Sequence, residues 1–245
     1  MKSSSAAARL GHVLAFLVGC TLALPLSTPC RAADVDYTKE RERLINIELR
    51  PSIKDNSVLD AMLKVPRHLL VPEPYRHLSY LNQPLPIGEG QTISQPYIVA
   101  LMTETIAPRK ELRVLEVGTG SGYQAAVLAE LVSEVYTIEI VEPLAARAKK
   151  DLEKLGYKNV FVRAGDGYRG WPEKAPFDAV IITAAAPKIP QPLIDQLKEG
   201  GRMVLPLGES EQELMLGVKE RGKLETKALI PVIFVPMTGE VRIGK

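Results

Sequence analysis

The chain has 245 residues, 46% apolar and 24% charged, with 31 basic and 29 acidic side chains and a formal net charge of +2. That length holds one elaborated domain with a substantial core, and the ordinary composition excludes a disordered chain or a multi-span membrane protein. The near-neutral balance and 5% aromatic content lack the basic field and stacking surfaces that a nucleic-acid partner requires.

The first segment differs from the rest. Lys2 and Arg9 precede an uncharged run from Val13 to Leu26, shorter than the ~20 residues of a membrane-spanning helix. Cys30-Arg31-Ala32 offers small residues at the two positions a signal peptidase reads. Residues 1–32 are therefore expected to form a cleaved export signal that sends a mature chain without a membrane span to the periplasm. Lipid attachment at Cys20, within Leu17-Val18-Gly19-Cys20, is the alternative. Cleavage removes three basic residues and no acidic one, leaving 28 against 29. It also removes both cysteines, Cys20 and Cys30, so the mature chain is expected to carry no disulfide, thiol nucleophile or metal site.

Residues 33–245 read as one domain. Leu44, Ile45 and Leu49 among alternating charges predict an exposed amphipathic helix from Tyr37 to Arg50, ended by Pro51. A second short helix is expected with Ser57 as N-cap, stopping at Val65-Pro66. The proline-rich stretch from Pro66 to Pro96 reads as an ordered loop serving as a lid or binding element. His68 and His77 within it are too isolated for a metal or a triad and are read as packing residues.

From residue 97 onward, strands and helices alternate. Strands are predicted at Leu112–Val117, Val135–Ile140, Val160–Arg163, Phe177–Thr183 and Arg202–Leu207. Helices fall at Tyr123–Leu131, Pro143–Leu155 and near Pro192–Leu197. This spacing implies right-handed βαβ units and a mostly parallel sheet, a Rossmann-like α/β fold. Glu213–Lys219 and Leu224–Val235 flank Glu220-Arg221-Gly222-Lys223 and predict an antiparallel hairpin at the end.

Chemistry concentrates at the strand ends. Val117-Gly118-Thr119-Gly120-Ser121-Gly122-Tyr123 is a strand running through a glycine turn into a helix, where a ligand can approach the backbone and free N–H groups. Glu139, 23 residues after Glu116, is placed to accept the hydroxyls of a ribose. Asp166 and Gly167 end the next strand and suit the exocyclic amine and flat ring of an adenine. Three successive strand ends would then line one cleft. Glycines at 118, 120 and 122 depart from the dinucleotide spacing, and the acid Glu116 just before them would repel a pyrophosphate but suit a sulfonium and an ammonium. The cofactor expected on these grounds is S-adenosylmethionine, with hydride transfer from a nicotinamide as the rival.

The chain resembles the protein-L-isoaspartate O-methyltransferase family over nearly all of its mature length. The matching stretches are residues 65–72, 85–104, 114–131, 165–190, 200–208 and 234–239, and Gln91-Thr92-Ile93-Ser94-Gln95-Pro96 is specific to the family. The resemblance implies a Rossmann-like, S-adenosylmethionine-dependent methyltransferase acting on the free α-carboxylate of L-isoaspartyl residues in damaged proteins. It implies Ser94 as the active-site serine, orienting the substrate carboxylate rather than attacking, with Gln91, Thr92, Ile93 and Thr238 beside the substrate. Glu116, Gly118, Gly120, Ser121, Gly122, Glu139, Asp166 and Gly167 are assigned to the cofactor, no metal is expected, and the protein is expected to act as a monomer. Ser94 could equally cap the helix that begins at Gln95 or Pro96. One departure is Ser79-Tyr80-Leu81-Asn82, where family members often carry an acid at the last position. A methyltransferase for a small-molecule acid, or an exported non-catalytic binder of the same cofactor, are the alternatives.

Overall fold

A computed structural model describes residues 35–242; the expected export signal lies outside them. The sequence separates into helical and strand periods because of where apolar side chains recur. Helix α1 (Thr38–Arg43) runs directly into a π-helical turn, Leu44–Leu49. Leu44, Ile45 and Leu49 are fully buried, so the apolar face of this helix docks on the core while Lys39, Glu40, Glu42 and Arg43 face solvent; Arg41 instead donates to the Tyr80 hydroxyl and the Leu63 carbonyl. Helix α2 (Asn56–Lys64) is capped by Asp55, whose carboxylate accepts from the Ser57 N–H, so the N-cap lies two residues earlier than expected. Ser57 instead donates its hydroxyl to the same Asp55 oxygen at 2.6 Å.

The proline-rich stretch is more regular than a loop. It holds two 3-10 turns, Arg67–Leu70 and Glu73–Leu78, then a hairpin of β1 (Leu85–Gly88) and β2 (Gln91–Ile93). Glu89 and Gly90 make the connection, both with positive φ, the signature of a tight hairpin turn. His77 is exposed rather than packed. His68 packs as expected between the rings of Tyr37 and Tyr80.

Helix α3 (Pro96–Thr105) leads into the alternating core: β3 (Arg113–Val117), α4 (Tyr123–Ala129), β4 (Glu134–Glu139), α5 (Glu142–Lys154), β5 (Val160–Ala164), β6 (Phe177–Ile182), α6 (Gln191–Asp195), β7 (Leu197–Leu207), β8 (Gln212–Glu220) and β9 (Lys223–Val232). These strands form one seven-stranded sheet in the order β5-β4-β3-β6-β7-β8-β9. The first five are parallel and β8 and β9 add antiparallel, as the residue pattern predicted. Side chains alternate across the sheet. Val114 packs toward α2, α3 and α4, while Leu115 and Val117 pack toward α6 and the opposite layer. Both faces of β3 are thus covered, which is why it reads as a nearly continuous apolar run.

Candidate active site

Strand order reverses between β3 and β6, and open α/β sheets bind ligands at the crevice such a reversal creates. A cleft of about 820 Å³, counting the space open to solvent at its mouth, lies there. Its sheet side is formed by Val117, Gly118, Ile138, Glu139, Thr183 and Ala184, with Gly167 beyond β5. The cleft therefore takes in the ends of β3 and β4 and, through Gly167, the segment after β5, as expected, and adds the end of β6. Thr183 was missed by sequence reasoning; its position at the end of a buried strand was the available signal.

The glycine turn is held by its own hydrogen bonds. The N–H groups of Gly118 and Thr119 donate to the Ile138 carbonyl, that of Gly122 to the Thr119 carbonyl, and that of Tyr123 to Ser121 Oγ. The Gly120 N–H donates to Glu139 Oε2 at 2.8 Å, and the Val141 N–H to Glu139 Oε1 at 2.9 Å. The turn therefore does not present the row of free amides expected from its sequence, and a pyrophosphate would find few donors. Glu139 has one further acceptor direction on each oxygen, which suits a diol. Gly118, at φ +99°, is in van der Waals reach of Thr183: a Cβ there would overlap the hydroxyl that donates to the Gly118 carbonyl at 2.6 Å. Gly167 likewise admits Val117, whose side chain a Cβ would overlap.

Three expected cofactor residues do not line this cleft. Gly122, at φ +83°, is the N-cap of α4 and lets Leu152 of α5 pack closely. Asp166 accepts the Tyr168 N–H at 2.9 Å and the Glu240 N–H at 2.7 Å, so its carboxylate pins the C-terminal segment instead of facing the ring of a ligand. Glu116 is completely buried behind the cleft, because strand alternation turns it toward the helical layer. Neither of its oxygens has a partner within hydrogen-bond geometry; the nearest donor group is the Thr137 hydroxyl, which also contacts Thr119 Oγ1 at 2.7 Å.

Burial pushes the Glu116 carboxyl up to about 8, with the Thr137 hydroxyl opposing and the Glu139 charge adding to the rise. It is therefore largely neutral at pH 7, and the electrostatic role expected of its charge falls away. A carboxyl that ionises at its ordinary value when unfolded but stays protonated when folded gives full stability below about pH 4.5. That stability is lost as pH rises toward 8, by roughly 3 kcal/mol at pH 7. Glu116→Gln is expected to flatten this dependence and to raise the melting temperature at pH 8 relative to the parent. Parallel melting curves at pH 5 and pH 8 with the same slope in both proteins would contradict it.

The opposite wall comes from β2 and its continuation. Gln91, Thr92, Ile93 and Ser94 line the cleft, together with Val99, Tyr123, Gln124, Ile140 and Val141. The Ser94 carbonyl accepts from Arg67 at 2.8 Å. Ser94 does not cap α3. The N-cap is Gln95, without a side-chain cap of its own, and Asn82 Oδ1 accepts the Tyr97 N–H from outside the helix at 3.0 Å. The residue that departs from the family pattern thus fixes the helix that follows the Ser94 loop. Val235, Pro236, Met237 and Thr238 close the end of the cleft, held by reciprocal bonds of 2.8 Å between Ala185 and the backbone of Val235 and Met237. A second cleft, lined by Pro84, Ile98, Pro231, Val232, Ile233 and Phe234, shares Thr92, Ser94, Thr183 and Val235 with the first. Among the described residues no cluster of histidine and acidic side chains could hold a metal, and no helix is long and apolar enough to cross a membrane.

A parallel sheet with a ligand cleft at its reversal, a glycine turn engaged by its own amides and an acid at the end of the next strand define the chain as an S-adenosylmethionine-dependent methyltransferase. Comparison with known proteins narrows the class. The model of the protein-L-isoaspartate(D-aspartate) O-methyltransferase family matches residues 39–242, and the chain belongs to that family. It is 54% identical over 222 residues to a protein-L-isoaspartate O-methyltransferase of Opitutus terrae, covering 89% of this chain and 95% of that one. It is 59% identical over 189 residues to protein-L-isoaspartate O-methyltransferase 2 of a Polaromonas species, covering 76% and 90%. A Plasmodium falciparum structure assigned to the same methyltransferase, in complex with S-adenosyl-L-homocysteine, superposes with a TM-score of 0.71 at 26% identity, covering 84% of this chain and 99% of that one.

Proposed function

We propose that this chain methylates the free α-carboxylate of L-isoaspartyl residues in damaged proteins and thereby starts their repair. The observation that carries this reading is one cleft with two chemically different walls. Strand ends, glycine turn and Glu139 form one, and the hydroxyl-bearing residues Thr92, Ser94 and Thr238 contribute to the other.

When bound, S-adenosylmethionine supplies a methyl group already activated on a sulfonium. The acceptor carboxylate, with a pKa of about 4, is already ionised at neutral pH, so no general base is required. The work left to the protein is orientation and exclusion of water. The hydroxyls of Ser94 and Thr92, both on the cleft wall, would donate to one oxygen of a substrate carboxylate and leave the other free to accept the methyl group. Once the ester has formed, the next backbone nitrogen attacks its carbonyl carbon, methanol leaves, and a succinimide closes. Hydrolysis of that ring returns part of the material to normal aspartyl linkage. The adjoining cleft with Ile98, Ile233 and Phe234 on its walls offers apolar surface for the residues flanking an isoaspartate, which favours a peptide over a small free acid.

The test is transfer of labelled methyl to an isoaspartyl peptide and to its aspartyl twin. Labelling is expected on the isoaspartyl peptide alone, and Ser94→Ala is expected to lower kcat/KM by about 30-fold through lost orientation. Equal labelling of both peptides, or of neither, would defeat the reading.

A further inference from the structure

Arg67 is a buried cation that takes no direct part in methyl transfer. It opens the 3-10 turn after Val65-Pro66 and has no exposed surface. Its Nε donates to the Ser79 carbonyl at 2.9 Å and its Nη2 to the Ser94 carbonyl at 2.8 Å. The guanidinium carbon lies 4.7 Å from the centre of the Tyr123 ring, and Nη1 has no partner. None of the ion pairs among the described residues includes it. Burial lowers its pKa to about 10, which leaves it charged at neutral pH.

An unpaired buried cation is costly, and an apolar side chain of similar length would fill the same space without that cost. The groups that Arg67 touches account for it. Ser94 and Tyr123 both line the cleft, one on the hydroxyl-bearing wall and one at the first position of α4 after the glycine turn. Arg67 itself does not line it. Ser79 lies three residues before Asn82, which holds the start of α3. A planar fork with several donors can reach two carbonyls and stack on a ring at once, which an ammonium cannot do.

We propose that Arg67 is the positioning residue of methyl transfer: from behind the cleft wall, its guanidinium ties the Ser94 carbonyl to the Tyr123 ring and keeps the Ser94 loop in register with the glycine turn. This rests on the methyl-transfer reading above. The donor side is held by its own hydrogen bonds and does not need Arg67. Loss of the fork therefore displaces the acceptor relative to the donor without emptying the cofactor pocket.

Arg67→Lys and Arg67→Met separate this role from a structural one. Both variants are expected to bind S-adenosyl-L-homocysteine within about twofold of the parent and to melt within a few degrees of it: in Arg67→Met the removal of an unpaired buried charge offsets the lost hydrogen bonds, and in Arg67→Lys the ammonium keeps a donor for one of the two carbonyls. Both are expected to lose about 30-fold in kcat on an isoaspartyl peptide, in line with the cost of misplacing a reacting group. Hydrogen exchange at residues 91–95 is expected to quicken in both while exchange in α4 does not. That readout needs no turnover, so it decides the positioning role even if the parent enzyme proves inactive on isoaspartyl peptides. If Arg67→Met does not fold, Arg67→Lys carries the test alone. Unchanged kcat together with unchanged exchange at residues 91–95 would overturn the proposal, as would kcat, cofactor affinity and melting temperature falling together.

Discussion

Glu139→Gln is expected to weaken binding of S-adenosylmethionine and S-adenosyl-L-homocysteine by about 1000-fold. Each carboxylate oxygen accepts one backbone N–H, from Gly120 and from Val141. A glutamine keeps one acceptor but turns an NH2 group toward the other amide, so two donors face each other in a site only 6% exposed. Charge-assisted bonds of this kind contribute roughly 1.5–3 kcal/mol each, and a buried amide left without an acceptor costs a comparable amount. The glycine turn then loses the bond that fixes Gly120, and a ribose held there would lose its acceptor. Calorimetry with S-adenosyl-L-homocysteine, well below the melting temperature of the variant, reads the effect directly. An affinity within threefold of the parent would show that Glu139 does not hold the cofactor.

Gly118→Ala is expected to have an effect of the same order, for a steric reason. The new Cβ would overlap the Thr183 hydroxyl, and alanine at φ +99° is strained by roughly 1–3 kcal/mol whatever the space. Thr183 cannot swing away cheaply, because its hydroxyl donates to the carbonyls of Gly118 and Val117. The turn must move, and the floor of the cleft moves with it. Adding Thr183→Ala removes the overlap but not the strained dihedral, so the double variant is expected to recover only part of the lost affinity. Full recovery in the double variant would place the whole defect in the side-chain overlap, and full affinity in the single variant would show that the turn does not touch the cofactor.

The elements that the sequence revealed are those whose cause is local. Val114 to Tyr123 is readable as strand, turn and helix because an apolar run, three glycines and a helix start follow one another without a gap. The antiparallel ending is readable for the same reason, since Arg221 and Gly222 sit between two alternating runs. The β1–β2 hairpin was hidden by its prolines and by Glu89, a non-glycine residue at φ +53°. The α2 cap was misplaced by two residues because Asp55 and Ser57 are both competent caps, and only the extended backbone of Asp55 decides between them.

The candidate site divides in the same way. Gly118, Gly120, Ser121, Glu139, Gly167, Gln91, Thr92, Ile93, Ser94 and Thr238 all meet in one cleft. Asp166 does not join them, because its carboxylate is taken by the amide of Glu240, 74 residues away. Glu116 lies beside the right turn in sequence but is wholly buried and does not line the cleft. Thr183 and Arg67 have ordinary sequence surroundings, and their importance comes from partners 65 and 27 residues distant.

The order of strands and helices, the glycine turn and the acid that ends β4 were determined by sequence alone, because each follows from residues that are neighbours in the chain and from a repeat that fixes which way they point. Which strand ends meet at one cleft, which acids face it and which amides remain free were decided only by tertiary structure. Strand order and the packing of one layer on another set burial and hydrogen-bond partners between residues that the chain itself holds far apart.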